Sequence, residues 1–346
     1  MARLEKTGFE RDIEDQPAAL ARCGAAALPA SIASLDLSRF DRIVMTGMGS
    51  SHYATMPLER VLIGKGHSAW RIQTGQLLDM PGLIAGRTLL WITSQSGRSG
   101  EVVLLLQRLA RGKEVTVVAT TNDPASPLAE RADVMIELCC GPEATVSSKS
   151  YLNTLAWVSR AAAVIEGGSD RAAIAGILET ADSLRQWIAE PSTAIADVAR
   201  RGLAGPNTRF ALVGTGVDAV TAKTGALILK EAAKVAAEGY VGGAFRHGPM
   251  ELAGPGLTVL LFGDGSPADT TLRQLARDLA ETGSVVVVVA PAGYEGAEHV
   301  AIPASSDFQR LAHAMAVVQR LSVELARQSG LPPGEFRFGQ KITAQV

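Results

Sequence analysis

RIVMTGMGSSHYA, residues 42–54, reads as an apolar strand (Arg42–Thr46), a Gly-x-Gly turn and the start of a helix. RFALVGTGVDAVTA, residues 209–222, repeats that plan, with Gly47 and Gly214 separated by 167 residues. Short apolar runs follow each copy at similar intervals. In the first half they are Leu89–Thr93, Val115–Ala119 and Val134–Leu138; in the second, Thr258–Phe262, Val285–Ala290 and His299–Ile302. The segments between them carry helical periodicity. Glu101–Arg111 puts Val102, Leu105, Leu106 and Leu109 on one face, and Ala219–Ala237 reads as one helix. Strand alternating with helix implies βαβ units, parallel sheets and right-handed crossovers. The sequence therefore predicts an α/β protein of two similar subdomains, each a parallel sheet flanked by helices. The predicted limits are an N-terminal segment 1–25, a first subdomain 26–168, a helical connection 169–205, a second subdomain 206–330 and a tail 331–346. The tail has two prolines and few helix formers, so it is expected to dock as an extended segment or to fray.

Composition agrees with this plan. At about 100–200 residues per domain, 346 residues suit two domains. Hydrophobic residues make up 47%, enough for a large core and too many for a disordered chain. A net charge of −2 gives no basic excess for a nucleic-acid partner. No apolar run reaches membrane-spanning length, and no signal peptide is visible in MARLEKTGFERDIEDQP. Three cysteines, Cys23, Cys139 and Cys140, form neither a disulfide framework nor a zinc spacing, and no metal or other cofactor is expected. A cytoplasmic location is the expectation.

Five segments are candidates for chemistry. GMGSSH, Gly47–His52, offers backbone N–H groups at a helix start, with Gly49, Ser50 and Ser51 as ligand donors; alternatively, Ser51 is only a helix cap. It lacks a P-loop lysine, so nucleotide hydrolysis has little support. SQSGRSGE, Ser94–Glu101, places Ser94, Gln95, Ser96 and Ser99 where a strand meets a helix, a loop able to wrap a phosphate without a basic side chain. In open α/β sheets, ligands bind outside the carboxyl ends of the strands, and both loops are expected at that edge. TVSSKSYLNT offers Ser147, Ser148 and Lys149, with capping as the alternative for the serines. In KEAAKVAAEGYVGGAFRHGPMEL, Glu231 and Glu238 are expected on one helix face, and His247 on a glycine-marked loop. A carboxylate and an imidazole suit proton transfer at neutral pH. Lys341, near the end of the tail, is either a solvated lysine or, with a lowered pKa, an imine-forming amine.

Taken together, these motifs resemble the SIS (sugar isomerase) family, and within it the isomerase half of the glutamine–fructose-6-phosphate amidotransferases. The likeness runs from about residue 10 to the C-terminus. It rests on IEDQPAAL, the Gly-x-Gly-Ser-Ser turn, SQSGRSGE, VSSKSY, LKEAAKVAAEGYVGGAFRHGP and the closing K-x-T. The resemblance implies two tandem SIS subdomains of three-layer αβα, flavodoxin-like form, with the tail docked at the active site. It implies phosphate and sugar binding by Ser51, Ser94, Gln95, Ser96 and Ser99, beside the Gly49 and Ser50 donors read from the turn itself, and a sugar contact from Ser147. It further implies C1–C2 proton transfer by Glu231, ring opening by His247 from the neighbouring subunit of a homodimer, and a Schiff base on Lys341. The chain departs from the synthase pattern at Ile228, where a lysine is usual, and its SIS-like stretch starts almost at the first residue, so glutamine hydrolysis is not expected. The activity implied is a phosphosugar isomerase or deaminase of the glucosamine-6-phosphate/fructose-6-phosphate type. A fructosamine-6-phosphate deglycase, a tagatose-type ketose/aldose isomerase and a non-catalytic sugar-phosphate sensor are the alternatives.

Overall fold

A computed structural model of the chain describes residues 5–109, 114–205 and 207–344. The end of the expected helix at 110–111, position 206 at the expected start of the second subdomain, and the extreme termini of the N-terminal segment and the tail lie outside these residues.

The first sheet contains β1 (Arg42–Gly47), β2 (Ala69–Gln73), β3 (Thr88–Thr93), β4 (Val115–Thr121) and β5 (Val134–Glu137) in the order β2-β1-β3-β4-β5, all parallel. The second contains β6 (Arg209–Gly214), β7 (Ala236–Val241), β8 (Leu257–Phe262), β9 (Val285–Ala290) and β10 (Glu298–Ala301) in the order β10-β9-β8-β6-β7, again all parallel. Read from its own first strand, the second order is identical to the first, and it is the flavodoxin-like order. Central strands β3 and β8 are buried along their whole length, so each sheet is covered on both faces and forms the middle of three layers. That is why TLLWIT and LTVLLF are continuously apolar rather than alternating.

The chain divides into two compact units that are not contiguous in sequence. One holds the first sheet and comprises residues 16–143, 149–181 and the tail from Phe338. Its core packs Val44, Leu90, Ile92 and Val117 of the strands against Val102 and Leu105 of the helix Gly100–Arg108. The other holds the second sheet and comprises the residues up to Asp15, 144–148 and 182–337. There Val213, Val259, Leu261 and Val288 pack against Leu275 and Leu279 of the helix Thr270–Ala280. Each such fully buried side chain is worth about 1.5–3 kcal/mol. Helices start where side chains satisfy orphan amides: Ser126 accepts from Ala129 N, Ser192 from Ile195 N and Ser306 from Gln309 N. Among the described residues no helix is long and apolar enough to cross a membrane.

Two expectations are corrected here. Edge strands β2 and β7 are absent from the expected set. One helix is expected from Ala219 to Ala237, whereas the α-helix ends at Ile228, a π-turn spans Leu229–Ala233, and Lys234 takes a left-handed φ of 59°. Glu238 therefore lies on β7, where it accepts a hydrogen bond from the Tyr240 hydroxyl at 2.8 Å, and shares no helix face with Glu231.

Candidate active site

β1 and β3 are neighbours, with Gly47 opposite Thr93. The strand order reverses between them, which makes the crevice beyond their carboxyl ends the expected ligand site. A side chain at Gly47 would put its Cβ 2.6 Å from the Thr93 carbonyl, so glycine is what lets the turn approach β3. Gly49 takes a φ of 52°, a conformation glycine adopts without a steric penalty. The helix that follows is only Gly49–Tyr53, and Met48 occupies its N-cap without a side-chain bond. Ser51 is thus inside the helix and not its cap, which corrects the alternative reading; Ser50 is buried and Ser51 half-buried. His52 is buried next to them, its Nε2 2.5 Å from the Arg71 guanidinium. Burial first and Arg71 second push its pKa down to about 3, so the imidazole is neutral near pH 7.

The serine loop follows β3. Ser94 N donates to the Thr120 carbonyl at 3.0 Å, extending the ladder with β4 by one rung. Gly97, with a φ of 63°, presses against Ser126; a Cβ there would lie 2.1 Å from the Ser126 hydroxyl. Its N–H donates to Ser94 Oγ at 3.2 Å, and the Ser94 and Ser99 hydroxyls are 3.0 Å apart. Ser96 Oγ accepts from Arg98 N at 3.2 Å, and the Gln95 carbonyl accepts from Asn122 N at 2.9 Å. Ser99 occupies the N-cap of the helix Gly100–Arg108, yet its hydroxyl makes no capping bond. The loop's one cation, Arg98, is exposed and paired with Asp123 at 2.8 Å. Backbone amides and hydroxyls are therefore the groups this edge presents to an anion.

The tail reaches the same edge. Gly100 N donates to the Thr343 carbonyl at 2.9 Å, which fixes the segment carrying Lys341 at the start of the helix after the serine loop. Lys341 Nζ lies 2.5 Å from Glu143 Oε2. Glu143 also accepts from Ser150 N at 2.9 Å and from Ser150 Oγ at 2.7 Å. Burial pushes the Glu143 carboxyl up, but the Lys341 charge and hydrogen bond and the two Ser150 bonds outweigh it and hold the group below the ordinary range.

Glu231, His247 and Ser147 belong to the unit that holds the second sheet. Glu231 is half-buried in the π-turn. His247 is exposed and ends the 3-10 turn Gly242–Arg246, its N–H donating to the Ala244 carbonyl at 3.2 Å. Ser147 is half-buried between buried Val146 and Ser148. At the carboxyl edge of this second sheet the loops are acidic. Asp218 is buried against Arg310 at 2.9 Å, Asp264 accepts from Ser266 N, and Asp269 accepts from Tyr294 at 2.7 Å. Arg310 neutralises Asp218, and Arg273 donates to the Gly265 and Ser266 carbonyls, so this edge shows no contrast of unpaired charge with the first and differs in offering fewer hydroxyls.

The structure thus brings together the Gly47–Ser51 turn, the Ser94–Ser99 loop and Lys341 in one unit. It adds Glu143, to which sequence reasoning gave no role because its partner lies 198 residues away. A cavity of 730 Å³ opens farther along this unit, lined in part by Arg22, Asn122 and Cys139; Arg22 and Asn122 donate to backbone carbonyls at its wall. Among the described residues no group of three or more His, Cys, Asp or Glu is placed to hold a metal ion.

A sequence model of the SIS domain matches residues 36–164 and 203–295. Glutamine–fructose-6-phosphate aminotransferase (isomerizing) from Pyrococcus horikoshii is 29% identical over 290 residues, covering 80% of this chain and 47% of that enzyme. The chain spans about half the length of the curated relatives it matches. Among solved structures, the C-terminal domain of glucosamine-fructose-6-phosphate aminotransferase from Francisella tularensis superposes with a TM-score of 0.81 at 17% identity, covering 97% of this chain and 99% of that one. Glucosamine-6-phosphate deaminase from Thermotoga maritima gives 0.75 at 20% identity, with 97% and 99% coverage. At these identities the two structures establish a shared fold.

Proposed function

The chain belongs to the SIS domain family, and from that premise we propose that it is a phosphosugar isomerase or deaminase interconverting an amino sugar 6-phosphate and a ketose 6-phosphate through an imine. One observation carries this reading. The hydrogen bond from Gly100 N to the Thr343 carbonyl holds a lysine-bearing segment beside a hydroxyl-rich loop at a sheet switch point. An anion site and an amine on one edge suit a substrate with a phosphate at one end and a carbonyl at the other.

In this reading Gly49, Ser50, Ser51, Ser94, Gln95, Ser96 and Ser99 bind the sugar phosphate, and Ser147 touches the sugar. His247, supplied by the second copy in a homodimer, opens the ring. Lys341 Nζ adds to C2 of the ketose, water leaves, and the resulting imine acidifies the C1 hydrogen. Glu231 carries that proton between C1 and C2. In the amino-sugar direction Glu231 moves the C2 proton of the open-chain aldehyde to C1, Lys341 Nζ adds to the C2 iminium so formed and expels ammonia, and water then hydrolyses the lysine imine to the ketose and the free amine. The names of the Pyrococcus and Thermotoga relatives support this substrate class.

The test is ammonia release from glucosamine-6-phosphate by purified protein, alongside Lys341→Ala. Turnover is expected, with a loss of at least a hundredfold in the variant. Turnover of fructosamine phosphates alone would favour a deglycase, and hexose 6-phosphate binding without any turnover would favour a sensor. Full activity in Lys341→Ala would remove the imine from the mechanism.

A further inference from the structure

Glu143 is a carboxylate with no exposed side-chain surface, whereas Lys341, its partner, is 22% exposed. Burying a carboxylate is costly unless hydrogen bonds and a counter-charge satisfy it. Here Ser150, at the start of the helix Lys149–Ile165, supplies its amide and hydroxyl from the positive helix end, and Lys341 supplies the charge. Lys149, the neighbouring cation, donates to the Pro142 carbonyl at 2.6 Å. The third titratable neighbour is Cys140. Burial first, then the Glu143 charge, raises its thiol to about 12, so it stays protonated and does not compete for a proton. The carboxylate is thus aimed at the one amine that the proposed reaction requires.

An ammonium ion has no lone pair and cannot attack a carbonyl. An amine paired with a carboxylate at 2.5 Å holds its proton until something takes it. We propose that Glu143 is a catalytic residue that accepts this proton and then faces the positive imine. The inference rests on Lys341 being the imine-forming lysine. A proton passes from Lys341 Nζ to Glu143 Oε2, and the freed lone pair forms the bond to C2 as the carbonyl oxygen takes a proton. The C2–O bond of the carbinolamine then breaks, and its oxygen leaves as water with two of the three original ammonium protons, one of them returned through Glu143. The third stays on the iminium nitrogen, opposite the regenerated carboxylate. Free lysine and carboxylate differ by about 6 pH units, so the transfer is uphill in open water. A bound sugar that excludes water lowers this gap, because a neutral pair costs less to desolvate than an ion pair.

The experiment is borohydride trapping of fructose 6-phosphate on the full chain, with the adduct located by mass spectrometry. Borohydride supplies the hydride that reduces the iminium to a stable amine. Wild type is expected to carry the sugar on Lys341, at a rate nearly constant between pH 7 and 9. Glu143→Gln keeps the shape and an acceptor for the Ser150 amide. It is expected to trap at least a hundredfold more slowly at pH 7.5 and to gain about tenfold per pH unit as hydroxide replaces the carboxylate. Should that variant melt early, Glu143→Asp decides. It retains the charge but withdraws it by one bond, and a tenfold slower trapping at wild-type melting temperature supports the role. Trapping at the wild-type rate and pH profile in the folded variant overturns it. No adduct on Lys341 in wild type instead defeats the imine reading itself, and this role with it.

Discussion

His52 shows how the first glycine turn keeps its charge under control. The ring is buried and accepts from Arg71, which also pairs with Glu59 at 3.2 Å, so a protonated imidazole would face a cation without water. Its folded pKa of about 3 lies below the ordinary 6.5. As pH falls below 6.5 the unfolded chain binds a proton that the native state refuses. The stability from this site is therefore complete above 6.5 and drains away toward pH 3. The expected slope is about 1.4 kcal/mol per pH unit. Urea midpoints measured between pH 6.5 and 5, above the range of most carboxylates, should fall accordingly, and His52→Gln should lower the slope to what remains from His313, whose pKa burial also lowers. An equally steep slope in the variant would assign it elsewhere.

The element that most resists reading from sequence is the one that carries Glu231. The run from Ala219 to Ala237 is rich in alanine, with lysines and a glutamate, all good helix formers. No glycine or proline marks the break. The structure ends the helix through tertiary contacts: Lys234 adopts the left-handed region, donates from Nζ to the Glu231 and Glu335 carbonyls, and Gly334 N donates to the Ala232 carbonyl at 3.1 Å. The π-turn and the segment Pro333–Glu335 thus hold each other. Lys234→Ala removes the Nζ bonds and keeps the strain, so amide exchange at Gly334 is expected to rise at least tenfold, read by hydrogen-exchange mass spectrometry of the 331–337 peptide. Unchanged protection would mean that the Gly334 bond alone suffices. The strands were legible where they carry a short apolar run, which even the exposed edge strand β10 does with Val300 and Ala301, continued by Ile302. LLWIT announces itself because both its faces are covered, whereas AWRIQ of β2 and AAEGYV of β7 are edge strands with exposed positions and no apolar run. The serine loop and glycine turn were legible because their residue types follow from backbone demands. Glu143 was not, since its contact with Lys341 joins distant stretches of chain.

At the scale of the whole molecule, two sheets of one topology end in different loops, hydroxyl-rich in the first and aspartate-bearing in the second, which favours the first for the proposed sugar phosphate. The first edge presents Ser94, Ser96, Ser99 and helix-start amides, with its loop cation already paired; the second presents Asp264 and Asp269, with Asp218 paired to Arg310. A bound sugar phosphate should therefore act through the unit of the first sheet. At a ligand concentration about 100 times Kd the native state gains about 2.7 kcal/mol. With an unfolding entropy of about 2.1 cal/mol/K per residue, a single cooperative transition of the chain would rise by about 4 °C. If the units melt separately, the unit holding the serine loop should take a larger shift and the other none, because the same free energy is spread over fewer residues. Calorimetry with glucosamine-6-phosphate distinguishes these cases. Ser96→Ala combined with Ser99→Ala should abolish the shift, while Thr215→Ala in the glycine turn after β6 of the second sheet should leave it intact. A shift that survives the serine changes and vanishes with Thr215→Ala would move the anion to the second sheet and overturn its assignment to the first.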